Sequence, residues 1–161
     1  MGDSWRGSRD DAAMAPRRSY ADSCAYLLAE GWIEDLPPLL DRRPRHDDDR
    51  PGLSFFRTLV ERADLSNLTL PRTFIGRSEV RAVSFRNTDL SESTLCWNDF
   101  VDVDFRDADL READLRGADF ERCDVTGANL AGALLSPDTP LVLDDVQRAA
   151  VVWSTVVPPG G

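Results

Sequence analysis

The stretch that decides the fold is FRDADLREADLRGADFERCDVTGANL, residues 105–130, in which Ala-Asp-Leu or a close variant returns every five residues. An α-helix brings side chains back to one face about every 3.6 residues, and a β-strand does so every two. A period of five fits neither element. A period this short, held over many units, is typical of a repeat architecture.

The five-residue period extends well beyond this stretch. Counting in fives from Leu65 to Leu135, every position carries a large apolar side chain. This core ladder consists of Leu65, Leu70, Ile75, Val80, Phe85, Leu90, Leu95, Phe100, Phe105, Leu110, Leu115, Phe120, Val125, Leu130 and Leu135. The residue two places before each is mostly small, and the residue directly before it is usually Asp or another polar residue. Phe55 and Val60 keep the same period, so the repeat can begin before residue 63.

Each unit therefore contains three residues that alternate between small, polar and large, which predicts a short strand with two side chains facing inward. The other two residues can turn the chain, and Gly117, Gly127 and Gly132 lie at the second of them, where a turn favours glycine. A strand that bends every five residues must coil. Four sides give about 20 residues per turn, and strand pairing stacks successive turns about 4.8 Å apart. We therefore expect an all-β solenoid with four apolar columns inside.

The units ADLRE, ADLRG, ADFER and ANLAG resemble those of pentapeptide-repeat proteins. The resemblance covers residues 63–137 and implies a right-handed quadrilateral β-helix, here of about four coils.

The rest of the chain predicts an order of segments around the coil. We expect a disordered tail (1–18), a helical N-terminal segment (19–40), a charged linker (41–52), the β-helix (53–137) and a C-terminal cap or dimerisation segment (138–161). Ser19 is the predicted N-cap of the first helix, and Pro37 and Pro38 are expected to end it. Because an open coil end exposes apolar rings and strand edges, we favour capping by both flanking segments. The alternative for the C-terminal segment is a homodimer interface, since some proteins of this family pair there.

The composition argues against a catalytic or metal centre. The only histidine, His46, precedes Asp47–Asp49 in the charged linker, where consecutive residues do not preset ligand geometry. We predict no catalytic, cofactor-binding or metal-binding residue. The three cysteines are an odd number with no C-x-x-C spacing, which favours reduced thiols in a cytoplasmic protein. The sequence contains no apolar run of the length needed for a signal peptide or a membrane span.

Four residues form the candidate partner-binding patch: Phe74, Cys96, Trp97 and Val101. All fall at outward positions of the repeat, and exposed aromatic side chains can mark a binding surface. The alternative is that a tail or a cap helix packs over them.

The functional prediction is a non-enzymatic protein-interaction module with an unidentified protein partner and without direct contact to nucleic acid or membrane. The formal net charge of −10 is consistent with a basic partner surface. The family resemblance implies an alternative, the acidic rods that imitate duplex DNA and act on DNA gyrase. Residues 63–137 would rise only about 18 Å, enough to imitate about five base pairs.

Overall fold

The computed structural model describes residues 15–45 and 52–156. In chain order its elements are α1 (Tyr20–Ala29), β1 (Ser54–Phe56), β2 (Leu59–Glu61), β3 (Phe74–Gly76), β4 (Glu79–Arg81), β5 (Asp99–Val101), β6 (Asp119–Glu121), β7 (Leu134–Leu135), α2 (Asp145–Ala150) and β8 (Val152–Trp153). None of the helices in these two ranges is long and apolar enough to cross a membrane.

Strands β1 to β6 stack in parallel with a constant offset of 20 residues. Val80 pairs with Phe100, and Phe100 pairs with Phe120. Single-residue bridges such as Asp104 with Asp124 connect the other sides of the coil with the same offset. The chain is therefore a four-sided β-solenoid of about five turns, in which β8 adds a last rung beside β7.

We number the faces by the ladder residues behind them. Face 1 covers Leu65, Phe85, Phe105 and Val125; face 2 covers Leu70, Leu90, Leu110 and Leu130; face 3 covers Phe55, Ile75, Leu95, Leu115 and Leu135; face 4 covers Val60, Val80, Phe100 and Phe120. All fifteen residues of the core ladder are buried. Within it, Phe85 stacks on Phe105 with ring centroids 5.5 Å apart, and Phe100 stacks on Phe120 at 5.3 Å. Each buried side chain stabilises the coil by roughly 1.5–3 kcal/mol.

The corners of the coil have an unusual backbone conformation. The residue two places after each inward apolar position from Phe55 to Leu130 has a positive φ, between 49° at Arg77 and 74° at Gly117. Most of these residues are not glycine, although the left-handed region costs other residues about 1–2 kcal/mol. At one corner, the Ala113 N–H donates to the Leu110 carbonyl (3.1 Å), and the third turn residue, Glu112, has a positive φ. These are the features of a type II turn. The backbone bonds between coils hold these turns in place.

The aspartates before the ladder residues have a structural role on faces 1, 2 and 3. The Asp109 carboxylate accepts a hydrogen bond from the Arg111 backbone N–H (3.1 Å), and Asp124 accepts one from the Thr126 N–H (2.9 Å). Asn129 does the same for the Ala131 N–H at 3.1 Å. This bond satisfies a backbone donor at the start of each turn, which explains why Asp or Asn recurs at this position.

Helix α1 closes the N-terminal end of the coil. The Ser23 hydroxyl accepts from the Thr69 N–H (2.8 Å), and the Tyr26 hydroxyl donates to the Asp64 carbonyl (2.6 Å). Leu27 is fully buried against the first ladder residues. The helix thus satisfies backbone groups on the first coil and excludes water from the core.

The ends of α1 are set by local residues. Ser19 is the N-cap, and its hydroxyl accepts from the Asp22 N–H (3.0 Å). The helix ends at Ala29, well before Pro37 and Pro38, because Gly31 adopts a φ of +84°.

Two segments differ from what the sequence predicts. Residues 15–18, expected in a disordered tail, lie along the corner between faces 1 and 2, where Arg17 Nε donates to the Asn87 carbonyl (2.8 Å). Residues 41–45, expected in a charged linker, pack on face 3, where Pro44 is buried and its carbonyl accepts from the Thr94 hydroxyl. His46 and Asp47–Asp49 lie outside the described residues, as do the remaining tail residues 1–14.

The C-terminal segment covers the other end of the coil. Asp144 caps α2 in a capping box with Gln147. The buried Gln147 amide donates to the carbonyls of Val125 (2.8 Å) and Ala128 (3.1 Å) on the last coil. Val151 is buried there, and β8 pairs with β7. This segment therefore caps its own coil; pairing with a second copy stays a prediction.

Candidate functional site

Face 3 is covered by the chain's own N-terminal segment. The carbonyl of Leu40 accepts from Arg72 Nη1 (2.8 Å), and that of Pro44 accepts from the Thr94 hydroxyl. Phe74 and Cys96, which point outward on this face, are only 2% and 0% exposed. The expectation that these two residues lie in an exposed patch is therefore wrong.

The thiol of Cys96 is also in an environment that disfavours reaction. Its Sγ lies 3.5 Å from the Asp114 carbonyl oxygen. Burial raises the pKa of Cys96 strongly, and the nearby Asp114 carboxylate raises it further. Because the thiolate is the reactive form, this cysteine is a structural residue rather than a nucleophile.

The other two residues of the predicted patch remain accessible. Trp97 occupies the corner between faces 3 and 4 with a φ of 61°, and its side chain is half-buried. Its ring lies against Gly117, one coil further on, so closely that a β-carbon there would come within 2.7 Å of Cε3. Val101 is half-buried at the end of β5 on face 4. The accessible part of the patch is therefore this corner and face 4.

Asp104, Asp109 and Asp114, on faces 1, 2 and 3, are neutralised within the chain. In one coil, three aspartates each bind the arginine two residues further on through both carboxylate oxygens, because alternate residues point to the same side of a strand. The shortest distances are 2.6 Å for Asp104–Arg106, 2.6 Å for Asp109–Arg111 and 2.7 Å for Asp114–Arg116. Burial alone would raise the pKa of Asp114, but the hydrogen bonds from Arg116 outweigh it and the net pKa is lowered.

Face 4 breaks this rule. Asp99 and Asp119 occupy the same repeat position, but the residues two places on are Val101 and Glu121. Among residues 15–45 and 52–156, no arginine lies within salt-bridge distance of either aspartate.

Glu79, Asp99 and Asp119 stand in register on adjacent strands, and we call this set the acidic column. Arg81 pairs with Glu79 of this column at 3.0 Å. Desolvation raises the pKa of Asp99, and the like charges of Asp119 and Glu79 raise it further. Face 4 therefore carries two carboxylates, Asp99 and Asp119, without an arginine partner of their own among the described residues.

An open cleft of about 440 Å³ lies where face 4 meets the C-terminal segment. We call it the corner cleft; it is lined by Trp97, Asp99, Gly117, Ala118, Asp119, Ser136, Asp138, Thr139 and Pro140. Pro137 and Pro140 interrupt the five-residue period at this point, so β6 has a strand neighbour on one side only. The cleft thus lies beside β6, the last strand of this sheet.

The described part of the chain offers no group of three or more His, Cys, Asp or Glu side chains that could hold a metal ion. The arrangement instead combines an aromatic wall, carboxylates and a strand edge, which are groups that bind peptide and cationic side chains. The patch predicted from the sequence did not include Asp99, Asp119 or Asp138. The signal for the first two was available, since Asp-x-Arg at residues 104–116 gives way to Asp-x-Val and Asp-x-Glu on face 4.

Comparison with known proteins identifies the repeat. Residues 81–117 and 99–136 match the family description of pentapeptide repeats in eight copies. The pentapeptide-repeat protein Rfr23 from the cyanobacterium Cyanothece 51142 superimposes with a TM-score of 0.50 and 18% identity, over 52% of this chain and 71% of that one. No curated protein matches the sequence.

Two further solved structures are similar at lower TM-scores. The pentapeptide-repeat protein alr5209 from Nostoc Pcc 7120 gives 0.42 with 22% identity, over 88% of this chain and all of that one. Full-length QnrB1, a plasmid-mediated fluoroquinolone resistance protein, gives 0.25 with 16% identity, over 69% of this chain and 72% of that one. These likenesses concern the fold.

Proposed function

We propose that this pentapeptide-repeat protein is a non-enzymatic protein-binding module that docks its partner on face 4. The observation that carries the proposal is the acidic column of Glu79, Asp99 and Asp119, whose residues are exposed on the four-stranded sheet β2-β4-β5-β6. A surface built on a packed solenoid core loses little conformational freedom when a partner binds, which favours affinity.

The other faces support this choice by contrast. Segment 40–45 covers face 3, and residues 15–18 follow the corner between faces 1 and 2. Asp104, Asp109 and Asp114 on these three faces are paired with arginine, so they offer a basic partner less uncompensated charge. Face 4 combines open charge with apolar contacts from Leu59 and Val101.

The test is partner recovery by the immobilised full chain and two charge-matched variants. Val101 on face 4 and Ser91 on face 2 occupy the same position of the repeat, and both are half-buried. Val101→Arg should lose the partner recovered by the wild-type chain, while Ser91→Arg should retain it. Thermal melts monitored by circular dichroism establish that both variants are folded. Equal recovery by the two variants would refute docking on face 4.

Action on DNA gyrase is a second candidate, and the open acidic column is the observation that favours it. Its three side chains span two strand spacings, about 10 Å, which corresponds to about three base pairs of DNA. This is a short imitation of a duplex, so we rank it second. A gyrase supercoiling assay with and without ciprofloxacin tests it, comparing the wild-type chain with an Asp99→Asn/Asp119→Asn variant. An unchanged assay at high protein concentration would exclude this function.

A further inference from the structure

We propose that residues 40–45, which we call the strap, occupy in cis a groove on face 3 that binds an extended, leucine-bearing segment of a partner once the strap lifts. This docking surface is separate from face 4 and does not rest on the function proposed above.

The strap is joined to the coil by few bonds. Arg72 Nη1 donates to the Leu40 carbonyl (2.8 Å), and the Thr94 hydroxyl donates to the Pro44 carbonyl. Within the described ranges, no backbone–backbone hydrogen bond joins residues 33–45 to the coil, whereas several hold the C-terminal segment. Segments with few backbone hydrogen bonds and few buried contacts open at a lower free energy than the whole fold. The strap is therefore suited to local opening.

The coil beside the strap keeps its own hydrogen bonds when the strap is absent. On face 3 the Ile75 N–H donates to the Thr94 carbonyl (3.0 Å), and the Leu95 N–H donates to the Asp114 carbonyl (2.8 Å). These bonds join coil residues to one another, so lifting the strap breaks none of them. Opening thus leaves the coil folded.

The outward side chains around Thr94 are apolar. Phe74 pairs with Thr94 from the preceding coil, and Cys96 follows Thr94 by two residues on the same side of the chain. Both are buried, while the equivalent positions one coil further on carry the charged residues Asp114 and Arg116. A lifted strap would therefore present an apolar surface to a partner.

The strap itself indicates which kind of segment this groove binds. The Leu40 side chain lies on Gly52, where a β-carbon would come within 2.7 Å of Leu40 Cγ, and Pro44 is buried. The bonds from Arg72 and Thr94 go to backbone carbonyls, which every extended peptide offers whatever its sequence. Selectivity then comes from the apolar side chains. The groove fits an extended segment with a leucine followed four residues later by a proline.

Thiol labelling with N-ethylmaleimide under native conditions tests whether the strap opens locally. Cys24→Ala and Cys123→Ala leave Cys96 as the only thiol. The control chain also carries Cys96→Ala, together with Ala113→Cys at a core-facing position equivalent to that of Cys123. We expect the opening free energy of Cys96 to fall with urea less than about half as steeply as that of the core thiol, because less surface is exposed. Equal slopes would overturn the proposal.

Adjacent leucines provide matched variants of the strap. Leu40 packs on Gly52, whereas Leu39 is 48% exposed. In the chain with Cys96 as its only thiol, Leu40→Ser should speed labelling by about tenfold and Leu39→Ser by less than about twofold. Equal effects of the two variants would contradict the seating of the strap.

A peptide added in trans tests the groove as a docking site. Acetyl-Pro-Leu-Leu-Asp-Arg-Arg-Pro-Arg-amide has the sequence of residues 38–45. Added to the single-thiol Leu40→Ser chain, it should slow the labelling of Cys96 at least about fivefold, while the same peptide with serine as its third residue should leave the rate unchanged. Equal protection by the two peptides, or protection by neither, would overturn the assignment of the groove.

Discussion

The indole ring of Trp97 lies directly on the backbone of Gly117, at the same corner of two successive coils. A β-carbon at residue 117 would come within 2.7 Å of Cε3, and Gly117 has a φ of +74°. Two separate constraints therefore select glycine here, one from the backbone conformation and one from the neighbouring ring. This contact also fixes the aromatic wall of the corner cleft.

Gly117→Ala should destabilise the protein by about 2–4 kcal/mol, because it combines left-handed strain with overlap against Trp97. Gly132→Ala is the matched control: its φ is +72°, but its nearest neighbour is the flexible Glu112 side chain, with Cγ at 3.1 Å. We expect the control to cost about 1–2 kcal/mol. Urea unfolding measures both free energies, and equal losses would show that the ring contact contributes nothing.

Leu110→Ala should lower the free energy of unfolding by about 2–5 kcal/mol, since it opens a cavity inside a column of stacked leucines. Val142 is 88% exposed, so Val142→Ala should change the free energy of unfolding by less than about 0.5 kcal/mol. Thermal and urea melts measure both. If Leu110→Ala melted like the wild-type chain, the core ladder would be wrong.

Substitutions at Asp114 test the two roles of the recurrent aspartate, which are to bond the backbone N–H of the turn and to pair with an arginine. Its carboxylate accepts from the Arg116 backbone N–H at 3.2 Å and pairs with the guanidinium. Asp114→Ala removes both and should cost about 2–4 kcal/mol, because it leaves a partly buried arginine without its counterion. Asp114→Asn retains the backbone bond, as Asn129 does for Ala131, and should cost about half as much. Equal losses would mean that the backbone bond is negligible.

Asp99 and Asp109 should respond to neutralisation with opposite signs. The pKa of Asp99 is raised by desolvation and by like charges, so its protonated form favours folding at low pH and this contribution is lost as pH rises through the folded-state pKa. Asp99→Asn should therefore raise the melting temperature at neutral pH, and the difference should disappear in acid.

For Asp109, burial raises the pKa, but hydrogen bonds from Arg111 outweigh burial and the net pKa is lowered. Its stabilising contribution is present above the unfolded-state pKa and is lost as pH falls through the folded-state value. Asp109→Asn should therefore lower the melting temperature at neutral pH. Thermal melts of both variants at about pH 7 and about pH 3 test this prediction. If Asp99→Asn and Asp109→Asn shifted the melting temperature in the same direction at about pH 7, this electrostatic account would be contradicted.

The sequence predicts the coil well because the period of five is local. Each inward position is marked by its own large apolar side chain. The helix caps Ser19 and Asp144 are likewise local, because each side chain accepts a hydrogen bond from the backbone N–H three residues further on. The burial of Phe74 and Cys96 could not be predicted in the same way. Face 3 carries a segment without a repeating pattern, in which the Pro44 carbonyl accepts from the Thr94 hydroxyl fifty residues later in the chain.

The candidate site was predictable only in part. The change from Asp-x-Arg to Asp-x-Val marks Asp99 as a carboxylate without a local counterion. The cleft, however, depends on the path that the chain takes after the last coil, where Asp138 and Pro140 come to lie opposite Trp97. That path is set by the packing of α2 and β8 on the coil end, a tertiary effect that the period does not encode.

Photo-crosslinking in cells tests the docking face most directly. A benzoylphenylalanine is placed at Val101 or Glu121 on face 4, and at Ser91 or Ala131 on face 2; all four occupy the same position of the repeat. We predict adducts to one common partner from both face 4 positions and none to that partner from face 2. Adducts to the same partner from face 2, with none from Val101 or Glu121, would contradict the account.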